Sequence, residues 1–404
     1  MKYVILVPDG MADYPISALG DKTPLEIAQT PNMDKIVSQG VLGQVDTIPL
    51  GMTPASDVAN MSILGYDPKK YYSGRGPLEA ANLGVELKDN DVAFRCNLVS
   101  SNDDLMIDYS AGHISNKEAE ALIKFVDKEL KDTKHRFYSG VSYRHLFVIE
   151  DDGKDLTSIK CTPPHDILNQ KISKHLPKGD NAQILIDLMA RSRDLLSNHA
   201  INKVRVDLGE NPANMIWLWG QGVRPSMPTY KEKFGKTGAV ISAVDLIKGI
   251  GKIVGLDIVN VPGATGYYDT NYQGKADYAL RALHRRDFVY VHVEAPDEAG
   301  HNGDMREKIT AIERFDKFVV GSFLKHFKNS KEDYRILVLP DHATPLSVRT
   351  HTRDTVCFGL AGKGVTSDGF KKMSEQAAKE SSIRFTTGEE LVERFFGEAA
   401  FPIA

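Results

Sequence analysis

The sequence predicts an α/β protein, in which a core with a mostly parallel sheet flanked by helices carries a smaller inserted α/β domain. Short apolar segments alternate with helical segments near both ends of the chain, and this alternation is typical of parallel sheets. Three of the apolar segments end in an aspartate. The 404 residues exceed what one hydrophobic core normally holds, which favours two domains.

The domain boundaries follow a change of pattern along the chain. Between the two boundaries, strand-like and helix-like segments are joined by turn-rich loops at residues 74–77 and 161–166. We therefore expect a discontinuous core domain at residues 1–68 and 205–404. We expect an inserted domain, which binds substrate or acts as a lid, at residues 69–204.

The first part of the core begins with an apolar strand that a Pro-Asp-Gly turn terminates. Asp9 therefore lies at the carboxyl end of this strand, where open α/β sheets bind their ligands. A helix follows, because Thr30 is a favoured N-cap residue and Gly40 is a favoured residue after a helix. The expected elements are a strand at 3–7, a helix at 31–39, a strand at 42–48 and a helix that begins at 55 and ends near 65.

The remaining elements continue the alternation of strands and helices. In the insertion we expect strands at 92–98 and 141–149 and helices at 116–130 and 181–196. After it we expect strands at 215–219, 240–242, 257–261, 288–294, 335–340 and 356–360, with helices at 243–249, 274–283 and 305–327. Such an order implies a largely parallel sheet with helices on both faces.

Composition excludes several classes of protein. A net charge of −4 gives no general attraction to nucleic acid or to an anionic membrane, and we expect neither as a partner. No apolar run reaches the roughly 20 residues that a membrane-spanning helix needs. Three cysteines without a CxxC spacing favour a reducing, cytoplasmic environment. The apolar N-terminus is interpreted as a strand instead of a signal peptide, and no pattern specifies an oligomeric state.

Candidate metal ligands follow the three strands that end in aspartate. Asp297 and His301 are four residues apart, a spacing that places both on one face of a helix. One carboxylate in such a position is usually a helix cap, and one histidine is usually a surface residue. Six ligand-type residues at three strand ends have no such explanation, and they are enough for two divalent cations. The six are Asp9, Asp297, His301, Asp341, His342 and His351.

Ser56 is the candidate reacting group. It lies at the start of an expected helix, where the backbone amides favour negative charge. A serine there can equally be a simple N-cap, and the two roles are compatible in geometry. Ser62 and Thr53 are rival hydroxyls. A serine bound to a metal loses its proton more readily and becomes a nucleophile toward phosphorus.

These residues lie in motifs that resemble a known family. The chain is similar from end to end to the cofactor-independent phosphoglycerate mutases of the archaeal type, which belong to the alkaline-phosphatase-like metalloenzymes. The resemblance rests on PDGMAD, TPNMDKI, SDVANMSILGYDP, GRGPLEA, FRCN, DYSAGHIS, GVSYRH, PPHDI, PGATGYYDTNY, DEAGH, PDHATP and THT. It implies an alkaline-phosphatase-like core and interconversion of 2- and 3-phosphoglycerate in glycolysis or gluconeogenesis.

The resemblance also implies a division of the ligands. One metal would be held by Asp297, His301 and His351, and the other by Asp9, Ser56, Asp341 and His342. Ser56 would be phosphorylated during the reaction. Manganese is the expected metal, with zinc, cobalt or magnesium as alternatives, and no bisphosphoglycerate is expected. Ala55 replaces the glycine that often precedes the serine in such sequences, which makes the turn slightly stiffer.

The inserted domain is expected to hold the carboxylate of the substrate and to exclude water. Arginine suits this task because its guanidinium pairs bidentately with carboxylate or phosphate, although each arginine can instead form a surface salt bridge. The candidates are Arg75, Arg95, Arg136 and Arg144, with Asp108, His113, His165 and Asp166 as further groups for binding or proton transfer.

Three other functions remain open. The resemblance leaves open a kinase acting on homoserine, a function proposed for bacterial chains of this subgroup, and a phosphatase on the same core. The sequence has no P-loop and no glycine-rich kinase loop, which counts against the kinase. A metal-stabilised binding module without activity is the non-enzyme alternative. Structural metal sites close with four ligands, and this chain offers six or more.

Overall fold

The computed structural model describes residues 1–397 and 401, and the chain divides into two compact units. Unit 1 comprises Met1–Tyr72 and Met227–Ala404, and unit 2 comprises Ser73–Ser226. The strands are β1 (Lys2–Pro8), β2 (Val41–Val45), β3 (Asp91–Asn102), β4 (Leu105–Asp108), β5 (His135–Val141), β6 (Arg144–Glu150), β7 (Met215–Val223), β8 (Gly238–Ile241), β9 (Asp257–Ile258), β10 (Phe288–Val293), β11 (Tyr334–Val338), β12 (Val356–Gly362) and β13 (Arg384–Phe385).

The helices surround these strands and include several single turns. They are α1 (Pro24–Ile27), α2 (Pro31–Gln39), α3 (Ser56–Ile63), α4 (Pro68–Tyr71), α5 (Arg75–Leu83), α6 (Asn116–Leu130), α7 (Gln183–Ser197), α8 (Ala200–Asp207), α9 (Tyr230–Phe234), α10 (Asp245–Ile253), α11 (Tyr272–Leu283), α12 (Ala295–Asn302), α13 (Met305–Arg314), α14 (Gly321–Ser330), α15 (Glu375–Glu380) and α16 (Gly388–Phe396). The expected helix at 305–327 is interrupted, because a π-helical segment at Phe315–Val320 joins α13 to α14. None of the helices in the described residues is long and apolar enough to cross a membrane.

Unit 1 is built on an eight-stranded sheet that is mostly parallel, which confirms the predicted fold class. The strand order is β13-β2-β12-β11-β1-β10-β8-β9, and β12 is antiparallel to both of its neighbours. β1 lies at the centre, parallel to β10 on one side and to β11 on the other. Residues 3–7 are almost fully buried because both faces of this strand are covered.

The register of the three central strands brings their carboxyl ends to one edge of the sheet. Val7 pairs with His292, and Leu6 pairs with Val338. The chain leaves β1 at Asp9, leaves β10 shortly before Asp297 and leaves β11 shortly before Asp341. The three aspartates predicted to lie together therefore follow strands that end side by side.

Unit 2 has an antiparallel sheet in which β3 is the longest strand. The order is β4-β3-β6-β5, and β7 also pairs with β3. The sequence pattern predicts that the strand at residues 215–219 lies in the core domain, and this prediction is wrong. The strand is part of β7, which pairs with β3 from Val92 to Val99. Because Ile216 and Trp217 also pack in the hydrophobic core of this unit, unit 2 extends to Ser226 instead of ending at 204.

Asp316 links the π-helical segment to the start of α2. Its carboxylate accepts hydrogen bonds from the backbone N–H of Met33 at 2.7 Å, from the backbone N–H of Asn32 at 3.2 Å and from Asn32 Nδ2 at 2.9 Å. The side chain is buried, and the first amides of a helix have no partner within the helix. Asp316 therefore caps α2 from a distant part of the chain.

Replacing Asp316 with asparagine should destabilise the protein by about 1.5–3 kcal/mol, because charge-assisted hydrogen bonds to buried amides are lost. The free energy of unfolding in urea measures this. The control is Asp333→Asn, which removes an exposed pair with Lys363 and should cost less than about 1 kcal/mol. Equal effects of the two substitutions would contradict the capping role.

Candidate metal centre and active site

The first predicted ligand group is assembled around Asp297. α12 begins directly after β10, and its first turns carry Asp297 and His301 on one face. His301 Nε2 lies 3.2 Å from Asp297 Oδ2, and His351 Nε2 lies 3.5 Å from Asp297 Oδ1. The two histidine Nε2 atoms are 3.0 Å apart. His301 Nδ1 contacts the backbone oxygen of Arg349 at 3.0 Å, which fixes the orientation of the ring.

The second predicted group converges on His342. Its Nε2 lies 3.1 Å from Ser56 Oγ, 3.4 Å from Asp9 Oδ1 and 3.4 Å from Asp341 Oδ2. Ser56 is the first residue of α3, with Ala55 as the N-cap. The structure thus brings all four residues of the predicted group together.

The two rival hydroxyls, on Ser62 and Thr53, have different surroundings. Ser62 is buried, and its Oγ accepts a hydrogen bond from the backbone N–H of Gly388 at 3.1 Å. Thr53 is exposed in the loop before α3. Of the three candidate hydroxyls, Ser56 is therefore the one that contacts the ligand groups.

His292 is a part of this site that the sequence interpretation missed. It lies in β10, its Nε2 is 3.2 Å from Asp9 Oδ2, and it is fully buried. The sequence contains a weak signal, since this histidine occupies an otherwise apolar strand that leads to Asp297. A histidine in a buried strand is commonly a core residue, and only the pairing of β10 with β1 places it against Asp9.

Neutral side chains and one glycine hold the carboxylates in place. Thr344 Oγ1 donates to Asp297 Oδ1, and Asn60 Nδ2 donates to Asp341 Oδ2 at 2.6 Å. Gly10, with φ of +61°, donates its N–H to Asp341 Oδ1 at 3.1 Å. A Cβ atom at Gly10 would lie 2.5 Å from Asp297 Oδ1, so a larger residue cannot occupy this position without displacing the carboxylate.

The buried aspartates respond differently to their surroundings. Burial raises the pKa of Asp9 well above its usual range, and the charges of Asp341 and Asp297 raise it further. Burial also acts to raise the pKa of Asp297, but interactions with His301, His351 and His342 together outweigh burial and hold this pKa well below its usual range. The negative charge at Asp9 is therefore the one that its surroundings compensate least.

The residues at this edge of the sheet fit divalent cations. Oxygen and imidazole nitrogen donors suit manganese and zinc. Asp9 Oδ1 is buried and has no hydrogen-bond partner among residues 1–397 and 401. Burial lowers the pKa of His342 to about 4, so the neutral ring offers a lone pair. Three sets of ligand atoms lie within 4.8 Å of one another: Asp297, His301 and His351; Asp9, His292 and Asp341; and Asp9, Asp297 and His342.

In unit 2, two of the four predicted arginines, Arg75 and Arg95, lie beside Trp219, and a third, Arg144, is near enough for its charge to act on Arg95. The guanidinium of Arg95 lies 4.8 Å from the centre of the indole ring, and that of Arg75 lies 5.5 Å from it. Burial lowers the pKa of Arg95; a 3.4 Å contact with Glu79 opposes this, while the charges of Arg75 and Arg144 add to it. Such a concentration of positive charge favours an anion. Trp219 was not among the predicted residues.

Arg136 and Asp108 have other surroundings in unit 2. Arg136 forms a bidentate pair with Asp127 at 3.0 and 3.1 Å and is half exposed, which is the surface salt bridge considered as its alternative. Asp108 accepts hydrogen bonds from Ser110 and Gly112 in its own loop.

The predicted histidines of unit 2 lie near its aromatic side chains. His165 is exposed, and its ring centre is 5.3 Å from that of Trp219. Asp166 Oδ1 is 3.7 Å from His165 Nε2. The exposed His113 contacts Tyr143, with ring centres 6.3 Å apart. Of these three residues, His165 is therefore the one whose ring reaches the Trp219 cluster.

Comparison with known proteins assigns the family. Residues 38–202 match the family model described as 2,3-bisphosphoglycerate-independent phosphoglycerate mutase. A protein of that name, numbered 2, from Methanothermobacter thermautotrophicus is 52% identical over 99% of this chain and 98% of its own length. One from Methanosarcina acetivorans is 52% identical over 97% and 98%. The chain belongs to the 2,3-bisphosphoglycerate-independent phosphoglycerate mutase family, as the sequence motifs predicted.

Solved structures agree with this assignment. A protein from Pyrococcus horikoshii is similar with a TM-score of 0.83 at 30% identity, covering 100% of this chain and 99% of its own. A cofactor-independent phosphoglycerate mutase from Thermoplasma acidophilum is similar with a TM-score of 0.67 at 29% identity, covering 98% and 100%. The similarity therefore extends over both units of the chain.

Adding Mn²⁺ to the metal-stripped protein should raise its melting temperature, because a cation that binds only the folded state stabilises it. At a hundredfold excess over the dissociation constant the gain is about 2.7 kcal/mol per site. Calorimetry with and without Mn²⁺ measures it. Asp297→Asn should reduce the gain, whereas the exposed control Asp333→Asn should retain it. A full gain in Asp297→Asn would argue against the site.

Proposed function

We propose that this protein is an isomerase that interconverts 2-phosphoglycerate and 3-phosphoglycerate through a phosphoserine at Ser56. The chain belongs to a family of phosphoglycerate mutases, and this supports phosphoglycerate as the substrate. The observation that carries the proposal is the 3.1 Å contact between Ser56 Oγ and His342 Nε2, within a group that includes Asp9 and Asp341. A hydroxyl in this position is surrounded by donors for a cation, which is the environment that activates a serine toward phosphorus.

The position of Ser56 at the start of α3 also favours phosphoryl transfer. The first backbone amides of a helix have no partner within the helix and carry partial positive charge. Asn60, one turn later, donates from Nδ2 to the backbone oxygen of Ser56 at 2.8 Å and to Asp341 Oδ2 at 2.6 Å. Asn60 therefore ties the backbone at the nucleophile to the ligand group.

Two divalent cations, with manganese as the expected ion, are part of the proposal. Asp297, His301 and His351 would hold one, and Asp9, Ser56, Asp341 and His342 would hold the other. When bound, such ions neutralise charge on the transferring phosphoryl oxygens and lower the pKa of the serine hydroxyl. The two groups are adjacent, because Asp9, Asp297 and His342 offer ligand atoms within 4.8 Å of one another.

The reaction is a double transfer that balances without any other reactant. Ser56 Oγ attacks phosphorus, the bond between phosphorus and the glycerate oxygen breaks, and the serine proton ends on that oxygen. Glycerate then presents its other hydroxyl, which takes the phosphoryl group and returns a proton to Ser56. No bisphosphoglycerate takes part, since the enzyme itself carries the phosphoryl group between the two steps.

The arginines around Trp219 are proposed to bind the anionic groups of the substrate. Arg95 Nε is buried and has no hydrogen-bond partner among the described residues. A guanidinium with unused donors matches a carboxylate or phosphate oxygen. Stacking on the indole ring restricts the side chains of Arg75 and Arg95, which lowers the entropic cost of binding.

Ser56→Ala should abolish mutase activity and leave cation binding and folding largely intact, because one hydroxyl is removed from a group of four. Activity is measured by converting 3-phosphoglycerate with Mn²⁺ and no bisphosphoglycerate. Mass analysis after mixing with phosphoglycerate should find a phosphate on Ser56 in the unmodified protein.

The buried Ser62 provides a control for this experiment. Ser62→Ala removes a hydroxyl on the same helix and should retain activity. Full activity in Ser56→Ala would rule out this nucleophile. Homoserine with ATP, tested on the same sample, should give no phosphohomoserine, and a clear product would favour the kinase alternative.

Arg75→Gln and Arg144→Gln should raise KM for phosphoglycerate by about 10- to 100-fold, since a charge-assisted hydrogen bond contributes about 1.5–3 kcal/mol. The matched control is Arg136→Gln, which changes an arginine already paired with Asp127 at the surface. Steady-state kinetics at saturating Mn²⁺ measure the three variants. A KM change in Arg136→Gln as large as in the other two would contradict the assignment of the cluster.

A further inference from the structure

A chain of buried charged side chains leads from α11 to Asp9. Lys275 Nζ lies 2.6 Å from Glu294 Oε2, and Glu294 Oε1 lies 3.2 Å from His292 Nδ1. His292 Nε2 in turn lies 3.2 Å from Asp9 Oδ2. Each of these side chains is at most 4% exposed, so the contacts form in a region from which water is excluded. Buried charges of this kind are retained only where partners compensate them.

Both ring nitrogens of His292 face carboxylates. Nδ1 is directed at Glu294, and Nε2 is directed at Asp9, with Asp341 Oδ2 at 3.9 Å. The 3.2 Å contact between Nε2 and Asp9 lacks hydrogen-bond alignment, because Nε2 has no hydrogen-bond partner among the described residues. The orientation of the ring is therefore set from the side of Glu294.

Glu294 is itself immobilised. In addition to Lys275, its carboxylate accepts hydrogen bonds from Ser242 Oγ at 3.1 Å and from the backbone N–H of Ala243 at 3.0 Å. Lys275 Nζ also donates to the backbone oxygen of His292 at 2.9 Å. The ring is thus fixed both through its Nδ1 atom and through the backbone that carries it.

The two carboxylate oxygens of Asp9 therefore have different surroundings. Oδ2 faces His292, while Oδ1 lies 3.4 Å from His342 Nε2, on the side of Ser56, without a hydrogen-bond partner among the described residues. We propose that His292 is a positioning residue, held by Glu294 and Lys275, that engages one oxygen of Asp9 and leaves the other for the cation beside Ser56. This inference rests on the proposed cation-binding role of Asp9 and adds the residues that orient it.

Two substitutions separate this role from a structural one. The amide nitrogen of His292→Asn reaches the position of Nδ1, on the side of Glu294, whereas that of His292→Gln reaches the position of Nε2, on the side of Asp9. Binding of Mn²⁺ to the metal-stripped full chain is followed by the electron paramagnetic resonance of the free ion. His292→Asn should weaken one of two Mn²⁺ sites by about 10- to 100-fold, a size typical of residues behind metal ligands, and His292→Gln should retain most of the affinity.

Other outcomes would overturn the inference. If both variants bind Mn²⁺ as the unmodified protein does, or if both are weakened equally, the contact with Asp9 does not position it. If the unmodified protein binds three ions and His292→Asn binds two, His292 is itself a ligand, with Asp9 and Asp341. If the unmodified protein binds no Mn²⁺, the proposed metal centre fails as well, whereas two bound ions with unaffected variants leave the proposed function in place.

A double-mutant cycle tests the chain behind His292. Glu294→Gln should weaken Mn²⁺ binding in the unmodified background, because it loosens the ring, and should add little in the His292→Asn background. Additive effects would show that Glu294 acts independently of His292 and would overturn this part of the inference. Circular dichroism of each metal-free variant verifies that it is folded before titration.

Discussion

The structure of unit 1 depends on placing three aspartates at one edge of a buried sheet. Asp9, Asp297 and Asp341 follow strands that pair in parallel. The pairing of the strands brings the three carboxylates close together despite their like charge. Like charges at short range in a poorly hydrated site repel strongly. The histidines, the hydroxyl of Thr344 and the amide of Asn60 reduce this repulsion, and divalent cations are the remaining means of offsetting it.

Two buried lysines stabilise the same edge from different directions. Lys275 contacts Glu294 and the backbone of His292, on the side of β10. Lys308 contacts Asp13 Oδ2 at 2.7 Å and the backbone oxygen of Thr344 at 2.8 Å, after β1 and β11. Each lysine pairs with an acidic residue that is not a predicted ligand. Their positive charges therefore hold in place the chain segments that carry the predicted ligands.

Unit 2 brings positively charged side chains together, and it does so by a different arrangement. Its antiparallel sheet places Arg95 of β3 opposite Trp219 of β7, and the indole ring supports both Arg95 and Arg75. An aromatic face attracts a cation without neutralising it, so the positive charge remains available to an anion. Arg95 also lies 3.4 Å from Glu79, which offsets part of this charge, whereas Arg136 is paired bidentately with Asp127 at the surface.

Local sequence patterns determined much of this protein. Apolar runs ended by Asp9, Asp297 and Asp341, and a helix start at Ser56, are properties of short segments, so the fold class and the proximity of these side chains could be predicted. Pairing between distant segments could not: β7 joined unit 2 because its hydrogen-bond partner is β3, far away in the sequence. For the same reason, the sequence did not predict that Trp219 lies beside the arginines, that Arg136 lies apart from them, or that His292 contacts Asp9. A histidine or tryptophan in an apolar strand has the pattern of a core residue, and only the neighbouring strand gives it a polar or charged partner.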